Sequence, residues 1–189
     1  MNRRLPSKNP HAFLTRVMLC LWGGCLFTSC ANMKSSDFQS GRPLFEPEKF
    51  FSGRTQSTGV VESRRGKPRE RVATETKGTW EGDTLHIQQE LVFGDTRRSH
   101  RTWAIRRIDA HRYEATANDI IGTARGTASG DTFHWKFTLA TKPGNPLFNV
   151  VMSQWMYLQP DRRTMINHTT ISKAGIVIAQ VTEQFRKVE

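Results

Sequence analysis

Alternation of small or apolar positions with polar ones is clearest between Tyr113 and Leu139. Gly122, Ala124, Gly126 and Ala128 stand at every second position. After the turn Ser129-Gly130-Asp131 the same spacing carries Phe133, Trp135, Phe137 and Leu139. A period of two places alternate side chains on one face of a strand. The stretch therefore predicts two paired strands, one with an almost bare face and one with a bulky face. The same short runs recur along the chain. Thr58 to Ser63 predicts a first strand, followed by the basic loop Arg64-Arg65-Gly66-Lys67-Pro68. Val72, Thr74, Thr76, Gly78 and Trp80 share a face of the second. Leu85, Ile87, Gln89, Leu91 and Phe93 form the next apolar face, with one polar interruption. Arg101, Trp103 and Ile105 share a face of a further strand. Beyond the breaker Pro143-Gly144-Asn145-Pro146, Val150 to Leu158 alternates Trp155 and Tyr157 with Met156. Thr164 to Ile171 follows, and a final strand runs through Ile176, Ile178 and Val181 to Phe185.

About ten short strands with turn signals roughly every 8–12 residues, and no long helical period, predict an all-β fold: a single antiparallel barrel. Closure removes the edges that so large a sheet would expose. Pro47-Glu48-Lys49-Phe50-Phe51 predicts one short N-terminal helical turn, with proline at its first position. Gly53-Arg54-Thr55 stands where lipocalins carry Gly-x-Trp, so the resemblance to a lipocalin-like barrel is partial at that motif. Charges on both faces of the strands speak against a transmembrane barrel. The barrel domain is expected over residues 47–189.

Residues 1–29 read differently. Arg3, Arg4, Lys8 and Arg16 precede an apolar run from Val17 to Phe27, too short to span a bilayer, that ends in small residues. This is the pattern of an export signal peptide. Leu26-Phe27-Thr28-Ser29-Cys30 resembles a bacterial lipobox, which makes Cys30 the expected lipidation site and residues 30–46 a lipidated N-terminus and flexible tether. Cys20 and Cys25 leave with the leader, so no disulfide is expected. Ala31 after the cysteine points to the periplasmic face of the outer membrane. The protein is then a membrane partner through its lipid anchor. The whole chain carries 28 Lys and Arg against 17 Asp and Glu, a net +11. Without the four basic residues of the leader it remains basic, which favours anionic envelope surfaces as partners. Export and the absence of a recognition motif exclude nucleic acid.

Catalytic and cofactor chemistry have little support. His86, His100, His111, His134 and His168 make no H-x-H or H-x-x-x-H pair, and neither a G-x-S-x-G elbow nor a phosphate loop is present. No metal and no cofactor is expected. Four groups remain. The bare face at Gly122, Ala124 and Gly126 leaves either room for a ligand or a tight corner of the barrel. Trp103, Trp135, Trp155 and Tyr157 line an apolar pocket or fill the core. Glu90, Arg101, Asp119 and Asn167 interrupt alternating strands. Pointing inward they must be paired, as Arg101–Glu90 or Arg101–Asp119, to bind a ligand or to close the barrel. Arg64, Arg65, Lys67, Arg69 and Arg71 form a basic segment that lies on anionic head groups or is simply solvated.

Several of these residues recur in order in one family. Glu90-x-x-Phe93-x-Asp95, Arg101-x-Trp103 and Tyr113-x-x-x-Ala117-x-Asp119-x-x-Gly122-x-Ala124-x-Gly126 are followed by Trp155-Met156-Tyr157, Asn167 and Lys173-x-Gly175-Ile176-Val177. Over most of the chain from Phe50 to Phe185 this resembles a family of Gram-negative envelope lipoproteins classed as a domain of unknown function. Thr96, Gln154 and His168 depart from its pattern. The resemblance implies a calycin-like barrel whose gene lies near genes that modify membrane fatty acids. Three functions follow as expectations. The leading one is a non-enzymatic lipoprotein that binds a fatty acid or other lipid-like ligand in the barrel. The others are an enzyme acting on modified acyl chains through Glu90 or Asp119, and a structural or assembly protein binding anionic envelope polymers.

Overall fold

Ten alternating runs each pair with their sequence neighbour, and the first pairs with the last. In the computed structural model, which describes residues 33–188, the strands are β1 (Gly53–Ser63), β2 (Pro68–Glu81), β3 (Thr84–Phe93), β4 (Arg97–Arg107) and β5 (Arg112–Ala117), then β6 (Ile120–Ser129), β7 (Thr132–Ala140), β8 (Asn149–Leu158), β9 (Thr164–Lys173) and β10 (Ile176–Lys187). They close an up-and-down antiparallel barrel through the β1–β10 ladder, from Thr55↔Lys187 to Ser63↔Ala179. The all-β, lipocalin-like barrel with one short N-terminal helix is thus the fold. The expected leader, with Cys20 and Cys25, and the Cys30 lipidation site lie outside the described residues.

β1 starts earlier than its apolar pattern indicates. Its inward residues there, Thr55 and Ser57, are buried but polar, so no hydrophobic period marks them. Pairing with β2 on one side and β10 on the other holds the segment extended.

One end of the barrel is plugged. Helix α1 (Pro47–Phe51) lays Phe50 and Phe51 against Phe45 and Phe185, with ring pairs at 5.1–6.1 Å and near-perpendicular planes. Its Glu48 carboxylate is buried and accepts hydrogen bonds from the Tyr113 hydroxyl at 2.8 Å and Arg107 Nη1 at 3.0 Å. Burial and the neighbouring Glu48 charge raise the Tyr113 hydroxyl pKa well above the ordinary phenol value. Lys187 Nζ donates to the carbonyls of Lys49, Phe50 and Ser52, acceptors that a helix C-terminus leaves unpaired. These helix carbonyls are thus satisfied, while Thr55 Oγ1, buried on β1 opposite Lys187, makes no hydrogen bond among the described residues.

The expected flexible tether is, from Lys34 onward, an ordered strap on the barrel wall. A 3-10 turn at Ser35–Phe38 sets the Phe38 ring 5.7 Å from Trp155 and 5.8 Å from Tyr157. Further along, the Phe45 amide donates to the Gly130 carbonyl at 2.8 Å. Isolated aromatic anchors in a polar segment produce no period, which is why the pattern missed them.

Candidate functional site

Packing fills the plugged half of the lumen, and the other half stays open. A cavity of about 260 Å³ lies between β1–β4 and β7–β10. Its apolar wall includes Leu91, Phe93, Trp103, Leu139, Met152 and Ile171. The mouth is at the end formed by the β1–β2, β3–β4, β5–β6, β7–β8 and β9–β10 connections, where the lining residues Val61, Glu70, Phe93 and Arg97 are partly exposed. Register shifts at Val61/Glu62, Ile121/Arg125 and Val177/Ala179 fall near this end, as bulges do at barrel rims.

A band of hydrogen bonds crosses the lumen wall. Trp135 Nε1 donates to Gln154 Oε1; Gln154 Nε2 donates to Thr169 Oγ1 at 3.0 Å; Asn167 Nδ2 donates to the same oxygen at 3.1 Å and to Glu183 Oε2 at 3.1 Å. Glu183 Oε1 accepts from Ser57 Oγ at 3.0 Å and Thr74 Oγ1 at 3.4 Å. The chain spans six consecutive strands of the barrel, β7, β8, β9, β10, β1 and β2. Trp103 stacks on Trp135 at 4.7 Å and donates to Gln89 Oε1 at 2.9 Å. Each tryptophan therefore offers an apolar face to the cavity while its N–H is satisfied in the wall. Burial raises the Glu183 pKa above its ordinary 4.5; the donors Ser57, Asn167 and Thr74 and the charge of Arg101 act in the opposite direction.

Arg101 is the cation of this lumen. Its Nε donates to both Asp119 carboxylate oxygens, at 2.8 and 2.9 Å, from a side chain only 12% exposed. The guanidinium lies 5.6 Å from the Trp103 ring and 6.0 Å from Phe137. Among the described residues, Nη1 and Nη2 make no hydrogen bond. The Asp119 clamp thus fixes the fork and leaves its outer N–H groups available to an anionic group, a geometry suited to carboxylate.

The residues singled out in the sequence divide between the two faces. Arg101, Trp103, Trp135 and Asn167 line the cavity, and Asp119 holds Arg101. Glu90 does not join them. It lies on the outer face, 58% exposed, with Oε1 2.5 Å from His100 Nδ1, because it alternates with the inward Gln89 and Leu91. Trp155 and Tyr157 also face outward; Trp155 stacks on His134 at 4.0 Å beneath Phe38, and Met152, Gln154 and Met156 take the lumen side of β8. Gly122 is exposed at the β6 bulge with φ +72°, a left-handed turn position rather than part of the bare face. Ala124 and Gly126 do face inward and are buried, and the Phe133 ring lies over Gly126. A Cβ at Gly126 would stand 2.3 Å from Phe133 Cζ. The small residues make room for aromatics of the neighbouring strand and leave no space of their own.

Glu183 is the residue that sequence reasoning missed. A signal existed: one carboxylate at the spacing-two position between the apolar Val181 and Phe185. The basic hairpin Arg64, Arg65 and Lys67, with Arg69 and Arg71 on β2, is exposed as expected. Among the described residues no cluster of three metal-ligating side chains occurs.

A family model described as "Protein of unknown function (DUF3833)" matches residues 24–187. No curated protein matches. Two solved structures are similar in fold. An S-type phycobiliprotein lyase from Guillardia theta superposes with TM-score 0.57 at 10% identity, over 83% of this chain and 99% of that one. A protein of unknown function from the DUF3598 family of Nostoc punctiforme gives TM-score 0.53 at 13% identity, over 78% of this chain and 51% of that one.

Proposed function

The chain belongs to the DUF3833 family, which brings no activity with it, and we propose from the lumen itself that it binds a fatty acid or comparable amphipathic acid. The fold of its structural neighbours is compatible with holding a hydrophobic ligand. One observation carries the proposal: Arg101, clamped by Asp119 and nearly buried, presents Nη1 and Nη2 without a hydrogen bond among the described residues, inside an apolar lumen that is open at one end. An acidic head group at Arg101 leaves the hydrocarbon against Leu91, Phe93, Leu139 and Ile171, leading to the mouth. The volume of about 260 Å³ lies just below the range of roughly 300–1,000 Å³ usual for ligand pockets, so a short acid fits whole and a longer one extends through the mouth.

Mass spectrometry of small molecules extracted from protein purified out of its own membrane tests this first; the expected result is an acid with a hydrocarbon tail. In displacement of a fluorescent fatty acid, Arg101→Met should weaken binding about tenfold or more, the worth of a charge-assisted hydrogen bond. Leu91→Trp should block it by filling the lumen. An empty barrel, or affinity unchanged by both variants, sinks the proposal.

We further propose that the protein works as a lipid-anchored envelope protein on the periplasmic face of the outer membrane. The support is the basic leader, its apolar run and the Leu26–Cys30 motif. Cys30→Ser should move the protein from the membrane to the soluble fraction, and retention of the variant would remove the anchor.

A further inference from the structure

Of the ten large apolar side chains exposed among the described residues, five gather at the mouth: Ile121, Leu147, Phe148, Ile176 and Ile178. They occupy the rim from β6 round to β10. Leu147 is 77% and Ile176 60% exposed, which is costly for a solvent-facing surface. The β7–β8 connection is built to hold its pair outward. Pro143 and Pro146 stiffen it, Asn145 Oδ1 accepts from the Leu147 amide at 3.1 Å, and Thr141 Oγ1 donates to the Phe148 carbonyl. Ile178 stands at the β9–β10 register shift.

Cations of the β1–β2, β7–β8 and β9–β10 turns flank this apolar crescent. Lys142 Nζ and Lys173 Nζ lie 5.3 and 5.4 Å from the centre of the Phe148 ring. Since Ser63 pairs with Ala179, the β1–β2 turn carrying Arg64, Arg65 and Lys67 adjoins the start of β10. Residues 63–68, 141–148 and 173–176 together hold five basic and no acidic residues. Aromatic and aliphatic tips flanked by lysines match the layered chemistry of an anionic bilayer, with acyl chains beneath and phosphates above.

The geometry points to this rim as a docking surface that seats the barrel mouth on an anionic phospholipid membrane. Leu147, Phe148 and Ile176 enter the acyl boundary, and the five cations meet head-group phosphates. The lumen then opens directly onto the lipid phase, so an amphipathic acid exchanges between bilayer and barrel without crossing water. That last consequence rests on the lumen-binding reading; the docking does not.

Hydrogen exchange by mass spectrometry on the full chain reads the docking locally, however residues before 33 associate with lipid. Vesicles of phosphatidylglycerol and phosphatidylethanolamine should slow exchange in 145–148 and 174–178. Pure phosphatidylcholine should leave these segments unprotected. The exposed reversals Lys142→Glu and Lys173→Glu should each reduce protection about fivefold or more, and Leu147→Ser should also reduce it. Equal protection on the neutral vesicles, none on the anionic ones, or full protection in the double reversal overturns the proposal. Equal protection by a soluble anionic polysaccharide, insensitive to Leu147→Ser, overturns it in favour of a polyanion surface. Arg101→Met should leave the protection intact while weakening fatty-acid binding about tenfold or more, so failure of the docking and failure of the lumen reading are separable.

Discussion

Gly126→Ala tests whether the row of small residues exists for aromatic packing. The added Cβ would lie 2.3 Å from Phe133 Cζ, 2.7 Å from Phe133 Cε2 and 3.1 Å from Trp135 Cβ. Carbon contacts settle near 3.5–4.0 Å, so the Phe133 ring must retreat by roughly 1 Å. It has little space to do so. Phe133 is 2% exposed, and the rings of Phe45, Tyr113 and Trp135 pack around it at 6.2, 5.4 and 5.5 Å. Overpacking of this kind costs about 1–3 kcal/mol. Gly126 lies outside the left-handed region, so alanine also recovers roughly 0.4–1 kcal/mol by restricting the unfolded chain. The net expectation is a loss of about 1–2 kcal/mol, which lowers Tm by roughly 2–8 °C for a domain of this size. Thermal and urea denaturation followed by circular dichroism measure it. Phe133→Leu in the same chain should relieve the clash, making the pair of substitutions less costly than their sum. A Gly126→Ala protein as stable as the parent, or more so, would refute the argument.

Glu183→Gln addresses the buried acid. Its folded pKa is raised above 4.5, so the folded protein binds the extra proton between 4.5 and that raised value. The group's stabilising contribution is complete below 4.5 and is lost as pH rises through the folded pKa. The variant should therefore gain stability relative to the parent across that window and hold the gain at neutral pH; parallel stability–pH curves would sink this assignment. His134 works in the other direction: burial, then the Lys136 charge, lowers its pKa from 6.5, so its contribution is present above 6.5 and lost as pH falls. His134→Gln should flatten that acid-side decline, and an unchanged slope in urea titrations below pH 6.5 would contradict it. Glu48→Gln removes the charge that, after burial, raises the Tyr113 hydroxyl; ultraviolet titration should find the phenol ionising at lower pH, and no shift would mean the contact is not made. Phe38→Ala uncovers Trp155, which is 8% exposed beneath it. Its fluorescence should shift to the red and become accessible to iodide, whereas an unchanged spectrum would detach the strap from the wall.

Alternation and turn chemistry in the amino-acid sequence were enough for the all-β class, the barrel, about ten strands and the short helix, because these depend on local period and on removing sheet edges. They were also enough to put Arg101 and Trp103 on one face, and Trp155 and Met156 on opposite ones. A period of two says which residues share a face, but not which face is inside when both carry large apolar groups. In β8 only the neighbours decide: Phe38 and His134 cover Trp155 from outside, while Met152 and Met156 meet the lumen. Gly126 is similar. A missing side chain means room or a close neighbour, and the Phe133 ring supplies the neighbour. Glu183 and Arg101 lie on strands far apart in sequence, and barrel closure alone makes the charge of one act on the other. The gathering of Leu147, Phe148, Ile176 and Lys173 at one mouth likewise follows from strand pairing, since β8 against β9 brings the β7–β8 and β9–β10 connections side by side.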